Sequence, residues 1–175
     1  MAIGGRGDLA STQESINLDS NTKKAMNKIA SSLSSNYHFE KEHFNDKYGK
    51  RKLPEFSELE VTLGCVPDGG FWFDNYRGTK RKLCFVFESK HQGTDGNAIE
   101  RWGKNYILCK MLNSKVKYIT FLSGSGCCDG KILHKFSETM KNLDPESCIF
   151  YLNENGFTEE EITSIMTSYL NKETK

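Results

Sequence analysis

The sequence lacks long apolar runs and any large excess of charge. None of its 175 residues falls in an apolar run of the ~20 residues that a membrane-spanning helix needs, and no signal-peptide pattern opens the chain. We therefore expect a soluble, cytoplasmic protein. The formal net charge of +1 gives no general sign of a nucleic-acid partner. It does not exclude one, because a protein with an acidic centre and a basic rim is also close to neutral.

The six cysteines form no CxxC pair, so their spacing does not indicate a zinc site. Four of them lie in or beside apolar patterns, where a thiol behaves as a small hydrophobic side chain: Cys65, Cys84, Cys109 and Cys148. Cys127 and Cys128 are adjacent in a glycine-rich loop. A metal or redox role stays open for that pair, although a plain loop is favoured. Free thiols suit a reducing cytosol.

The composition predicts one folded domain over residues 21–175, since 37% of the chain is hydrophobic and it contains 11 Phe. Residues 1–20 are rich in Gly, Ser and Asn, and we expect a mobile N-terminal arm that becomes ordered on a partner. An amphipathic helix is predicted to begin at Asn21, with an apolar stripe through Met26 and Ile29.

Strand and helix patterns alternate through the second half of the chain. Strands are predicted at 83–87, 118–122 and 148–152, and helices at 97–113, at 134–143 and after residue 158. The last helix begins at a capping box formed by Thr158 and Glu161. This order indicates an α/β fold with a central mixed β-sheet flanked by helices, in which 97–113 is the crossover between two inner strands.

Chemically useful side chains follow the buried run at 83–87. Glu88 and Lys90 are two residues apart, so on a strand they leave by the same face. Asp68 precedes Gly69 and Gly70, and a hairpin between 71–73 and 83–87 would bring it to that pair. Two carboxylates and a carbonyl suit Mg²⁺, and a lysine can orient an attacking water. The alternative is a turn aspartate near an exposed Glu/Lys pair.

The helix at 97–113 begins with residues that can contact bases. Asn97 is a candidate N-cap, and Glu100 and Arg101 share the first turn with it. Asn can bind an adenine edge at two points, Arg can bind guanine or phosphate, and a helix N-terminus favours anions. The alternative is an ordinary capped helix with an ion pair from Glu100 to Lys104.

Three ordered blocks at 66–70, 88–93 and 96–105 read VPDGG, ESKHQG and GNAIERWGKN. Together they resemble the EcoRI- and MunI-like type II restriction endonucleases, a family of the PD-(D/E)xK nuclease superfamily. The resemblance implies a restriction-endonuclease-like core in which Asp68 and Glu88 bind Mg²⁺. It also implies that Ser89 adds its carbonyl to the metal site and that Lys90 positions the attacking water.

The same resemblance implies a homodimer that cuts double-stranded DNA at a palindrome containing AATT, leaving 5′-phosphate and 3′-hydroxyl ends. A methyltransferase of the same restriction-modification system, not physically bound, would protect the host DNA. The residues implied to contact DNA are His91 and Gln92 between chemistry and readout, Asn97, Ala98, Glu100 and Arg101 at the bases, and Lys104 and Asn105 at phosphates.

The sequence also departs from the family. Ser89 replaces the usual alanine, and only Thr94 and Asp95 separate two blocks that a long excursion separates in EcoRI-like enzymes. Selection of the outer bases therefore stays open. Two other interpretations remain, a repair or recombination nuclease of the same superfamily and a metal-free DNA-binding regulator. A regulator would have no use for the acidic pair. The basic stretch at 47–52 is either a solvated loop or a clamp on the DNA backbone.

Overall fold

The computed structural model describes residues 13–33, 37–40, 68–74, 81–92, 98–112 and 116–173. Several sequence predictions lie outside these ranges. They are the first 12 residues of the predicted arm, the basic stretch 47–52 and the helix cap at Asn97.

The described strands form a five-stranded mixed sheet in which neighbours in the chain are also neighbours in the sheet. The strands are β1 (Tyr37–Glu40), β2 (Gly69–Asp74), β3 (Arg81–His91), β4 (Lys117–Ser123) and β5 (Cys148–Asn153). β1, β2 and β3 pair antiparallel, whereas β3, β4 and β5 pair parallel. Parallel pairing needs a long crossover, which a helix supplies between each of these strands.

The helices are α1 (Gln13–Leu33), α2 (Ala98–Leu112), α3 (Ile132–Leu143) and α4 (Glu159–Glu173), and a short 3₁₀ turn spans Ser125–Cys127. The prediction of an α/β fold with a mixed sheet flanked by helices is confirmed. Strands predicted at 83–87, 118–122 and 148–152 are each found, with extensions of one to four residues at their ends. α2 matches the predicted crossover helix to within one residue at each end.

The predicted first residue of α1 was wrong. The helix begins at Gln13, not Asn21, so residues 13–20, predicted as part of the arm, are helical. Leu18 explains the difference, because it is buried and extends the apolar stripe by about two turns toward the N-terminus. Because residues 1–20 are rich in Gly and Ser, their composition did not indicate that Leu18 is buried.

Alternating side chains divide the core into two layers. Val86, Tyr118 and Leu122 face α2 and α3, where they surround the buried Trp102. The residues next to them on β3 and β4 face the other way, and they pack against α1 and α4. Trp102 also donates its indole N–H to Thr120 Oγ1 at 2.7 Å, which fixes α2 on the sheet.

The predicted capping box of α4 is confirmed. The hydroxyl of Thr158 accepts the N–H of Glu161 at 3.2 Å, and the Glu161 carboxylate accepts the N–H of Thr158 at 2.8 Å. None of the described cysteines forms a disulfide, and Cys109, Cys127 and Cys148 are buried. Within the described ranges no helix has both the length and the apolar character needed to cross a membrane.

Candidate active site

The hairpin of β2 and β3 brings Asp68 beside the end of β3. Gly69 lies opposite Phe87 in the ladder, and the N–H of Asp68 donates to the Phe87 carbonyl at 3.1 Å. The Asp68 carboxylate then accepts two hydrogen bonds from Ser89, from its backbone N–H at 2.7 Å and from its hydroxyl at 3.0 Å. The predicted convergence of Asp68 on Glu88 and Lys90 is therefore confirmed.

Glu88 is fully buried, with 0% of its surface exposed. Its carboxylate accepts hydrogen bonds from Asn105 Nδ2 at 3.2 and 3.1 Å and from the Tyr118 hydroxyl at 3.0 Å. It also forms an ion pair with Lys90. A buried carboxylate with this many donors is held in one orientation, because any rotation would break several hydrogen bonds at once.

Lys90 lies between the two acids. Its Nζ contacts the Glu88 carboxylate and lies 3.8 Å from Asp68 Oδ1. Burial lowers the pKa of Lys90, but the negative charges of Asp68 and Glu88 together raise it above its ordinary value. The side chains of Lys90 and Asp68 are 22% and 28% exposed, so the site opens to solvent on their side of Glu88.

Burial, followed by repulsion from Asp68, raises the pKa of Glu88 from 4.5 to about 7, and Lys90 offsets only part of this. Two neighbouring carboxylates repel each other when both are ionised, so a cation beside them is stabilising. In the described structure the Lys90 ammonium supplies one positive charge, and a second cation would reduce the repulsion further.

The donor set fits Mg²⁺. The N–H and C=O of a strand residue leave by the same edge, so Ser89 presents its carbonyl on the side where its N–H meets Asp68. Two carboxylates and a carbonyl are hard oxygen ligands. Among the described residues, no group of three or more His, Cys, Asp or Glu could hold a metal. An ion between Asp68 and Glu88 would therefore keep water ligands, as Mg²⁺ commonly does.

The first turns of α2 present three exposed charged residues next to this site, Glu100, Arg101 and Lys104. Glu100 and Lys104 form the predicted ion pair at 2.9 Å, and hydrogen bonding to Lys104 lowers the pKa of Glu100. Arg101 is close enough that its charge acts to lower the pKa of Lys90. Ala98 is the first residue of the helix.

The structure places Asn105 differently from the prediction. It was predicted to contact phosphate, but it is only 5% exposed and donates its amide to Glu88. The helical spacing explains why, because Asn105 lies three residues after Trp102 and four before Cys109, both of which are buried. That spacing was available in the sequence. The hydroxyl contact from Tyr118 was not, since it depends on the register of β3 against β4.

The side chains of His91 and Gln92 are placed differently from those of Glu88 and Lys90. His91 turns to the α1 and α4 side, where its Nδ1 lies 2.9 Å from Ser123 Oγ. Gln92 is only 6% exposed, and its side-chain amide makes no hydrogen bond within the described structure. Neither side chain therefore lies on the solvent-exposed side of the site, beside Lys90.

Protein-family models, curated proteins and solved structures were compared with the chain, and none matches it. The function is therefore inferred from the site. Two acids and a lysine, packed at the end of a buried strand beside a helix with exposed charged residues, can bind a divalent cation and act on a phosphate group.

Proposed function

We propose that this chain is a Mg²⁺-dependent endonuclease with a restriction-endonuclease-like core, related to the EcoRI- and MunI-like type II enzymes. It would act as a homodimer on double-stranded DNA at a palindrome containing AATT. The observation that supports this most is the convergence of Asp68 and Glu88 on Lys90. Burying Glu88 beside a second carboxylate costs stability, and Lys90 offsets only part of that cost, so a further cation at the site would be favourable.

Each residue has a defined part in the proposed hydrolysis. Asp68, Glu88 and the Ser89 carbonyl would hold the ion. Bound Mg²⁺ would supply Lewis acidity, polarising a phosphoryl oxygen and acidifying a bound water. Lys90 would orient the attacking water and offset negative charge that develops on the phosphate. Water adds at phosphorus and the 3′ oxygen leaves with a proton, giving 5′-phosphate and 3′-hydroxyl ends.

Sequence selection is proposed to lie at the start of α2. Arg101 is exposed there, and its guanidinium can bind a base edge at two points. Lys104 is exposed one turn on and suits a phosphate, which fixes register without reading sequence. Two copies of this helix, related by a two-fold axis, would match the two halves of a palindrome.

The decisive experiment is to digest a fully sequenced plasmid in Mg²⁺ and to map the ends. The proposal predicts cuts on both strands, 5′-phosphate ends and a shared AATT at the cleaved sites. Sites without that core would remove the specificity assignment while leaving the metal chemistry in place. An absence of cleavage under any divalent cation would remove the nuclease assignment.

Variants then test the chemistry. Asp68→Ala, Glu88→Ala and Lys90→Ala should each slow cleavage by on the order of 10³-fold, because each loses a group that acts on the phosphate or the water. Binding to AATT duplexes should remain. Glu138→Ala is the matched control, since this exposed acid pairs with Lys141 on α3, away from the site. Near-normal cleavage by Glu88→Ala would contradict the assignment.

The oligomeric state is a separate test. Sedimentation with and without cognate DNA should show a dimer at working concentration, as palindrome recognition requires. A species that stays monomeric on its DNA would favour a repair or recombination nuclease of the same superfamily.

A further inference from the structure

A cavity of 440 Å³ lies at the carboxyl ends of the parallel strands. His91 of β3, Ser123 of β4 and Asn153 of β5 line it, each being the last residue of its strand. The N-terminal half of α1 and the loop between β5 and α4 complete its wall. This volume is within the range of cavities that hold small ligands, and the carboxyl ends of strands in α/β sheets are where ligands commonly bind.

The charges of the cavity disfavour anions. Its described lining contains no Lys or Arg, and its acidic side chains are those of Glu14 and Glu161. The Glu161 carboxylate already accepts the N–H of Thr158. A phosphate, sulfate or carboxylate ligand would therefore meet acidic side chains and no Lys or Arg of the lining. The lining instead suits an uncharged ligand.

Three asparagines supply hydrogen-bonding capacity that the described structure leaves unused. Asn17 and Asn153 use their oxygens as acceptors, from Gln13 and from the N–H of Asn155, and their NH₂ groups stay available. Asn21 uses its NH₂ to donate to the Phe157 carbonyl, so its oxygen stays available. The cavity thus presents both donors and acceptors to a ligand.

Two apolar side chains also line the cavity. Leu18 and Phe157 both line the cavity and are buried. The Nδ1 atom of His91 is engaged with Ser123, which leaves Nε2 as a further polar contact at the wall. A lining that combines apolar side chains with several carboxamides suits an uncharged ring with donors and acceptors along its edge.

We propose that this cavity binds an uncharged nucleobase. A carboxamide can match the paired donor and acceptor on a base edge, as Asn does with adenine. The base could come from either of two sources, a free nucleoside or a nucleotide turned out of DNA. The DNA source rests on the proposed function, and it would place the cavity beside the cleavage site, because His91 of the cavity lining follows Lys90 directly on β3.

The first arm of the test uses free nucleosides and needs neither metal nor cleavage. Adenosine, guanosine, cytidine and thymidine, none of which carries phosphate, are titrated into the full-length protein by calorimetry and by NMR of side-chain amides. At least one should bind saturably. Asn17→Ala and Asn153→Ala should each weaken that binding about tenfold, as expected for one lost hydrogen bond to a ligand.

Asn27→Ala is the matched control, because Asn27 is exposed on the same helix as Asn17 and does not line the cavity. It should leave nucleoside binding unchanged. Binding that the cavity variants do not weaken, or an equal loss in the control, would overturn the proposed site.

The second arm uses metal-free duplexes that carry 2-aminopurine at successive positions in and beside AATT. A fluorescence rise on binding that Asn153→Ala abolishes would identify a base turned out of the duplex. Nucleoside binding without such a rise would identify the free nucleoside. If neither arm gives a signal, the nucleobase site is wrong, whereas plasmid cleavage tests the nuclease proposal independently.

Discussion

The side-chain amide of Asn105 donates to both carboxylate oxygens of Glu88, at 3.2 and 3.1 Å. Asn105 lies on α2, one turn after Arg101, so a single helix holds the buried acid and also carries an exposed candidate for DNA contact. The position of the helix therefore couples the proposed chemistry to the proposed readout. Trp102 fixes that position through its hydrogen bond to Thr120 on β4.

Asn105→Ala should reduce Mg²⁺-dependent cleavage about 10- to 100-fold, because a group that orients a metal-binding carboxylate is lost. Asn105 acts as a positioning residue, so the loss should include weaker Mg²⁺ affinity, measured as a shift in the metal dependence of the cleavage rate. A loss of rate at every Mg²⁺ concentration, with no such shift, would indicate general misfolding of the site and contradict the assignment.

Lys104→Ala is the comparison for that variant. Lys104 is the neighbouring residue but is exposed, and it forms an ion pair with Glu100. Removing the Lys104 ammonium should weaken binding to all DNA sequences alike, and the slope of log affinity against log salt concentration should fall by about one. The Mg²⁺ dependence of the cleavage rate should be unchanged. Identical behaviour of the two variants would show that burial of Asn105 has no functional consequence.

Periodicity alone predicted most of the described fold. The apolar runs of β3 and β4 can be buried only as inner strands, and the helical spacing of Trp102 and Cys109 places α2 against them. The first turns of α1 were not predicted, because their packing against the core depends on one apolar residue, Leu18. β1 was missed because residues 37–40 are four residues long, too short for a pattern to be distinctive.

The acidic pair with its lysine was also predictable, since alternation along a strand puts Glu88 and Lys90 together. The same rule places His91 on the other face, where Ser123 contacts it. The resemblance implied that His91 lies between chemistry and readout, and its role as a DNA contact stays a prediction. Contacts such as that of Tyr118 with Glu88 join separate strands, and one sequence does not determine their register.

Stability should depend on pH through Glu88. Its pKa is raised from 4.5 to about 7 by burial and then by Asp68, so the folded state binds this proton more tightly than the unfolded state. The resulting stabilisation is fully present below pH 4.5 and is lost as the pH rises through 7. Between pH 5 and 8 the metal-free protein should lose on the order of 1–3 kcal/mol. Lys90 stays charged across this window.

Glu88→Gln isolates this effect, because the amide keeps an acceptor for Asn105 and cannot ionise. Urea denaturation in EDTA at pH 5 and pH 8 should show a smaller fall in unfolding free energy for the variant than for wild type. Glu138→Gln is the control, as that acid is exposed and paired with Lys141. An equal fall for Glu88→Gln and wild type would show that Glu88 is not the group responsible.

The capping box of α4 should contribute measurably to stability. Thr158→Ala removes the hydroxyl that accepts the N–H of Glu161, which should cost about 1 kcal/mol. Thr167→Ala removes an exposed hydroxyl bonded only to the carbonyl of Thr163 in the middle of the helix. That change should be neutral or slightly stabilising, because Ala has the higher helix propensity. Thermal unfolding of both variants compares them directly, and equal melting temperatures would argue against the cap.

Arg101 should carry sequence discrimination and not general affinity. A good two-point contact to a base contributes about 1–3 kcal/mol, so losing Arg101 from both protomers of a dimer should cost about 2–6 kcal/mol against an AATT duplex. Affinity for a scrambled duplex should fall much less, since phosphate contacts dominate there. Competition binding in metal-free buffer measures both affinities at one salt concentration. Lys135→Ala, an exposed cation on α3, serves as the charge control. If Arg101→Ala weakens binding to the two duplexes equally, the guanidinium contacts phosphate and the base-reading role at the first turn of α2 is wrong.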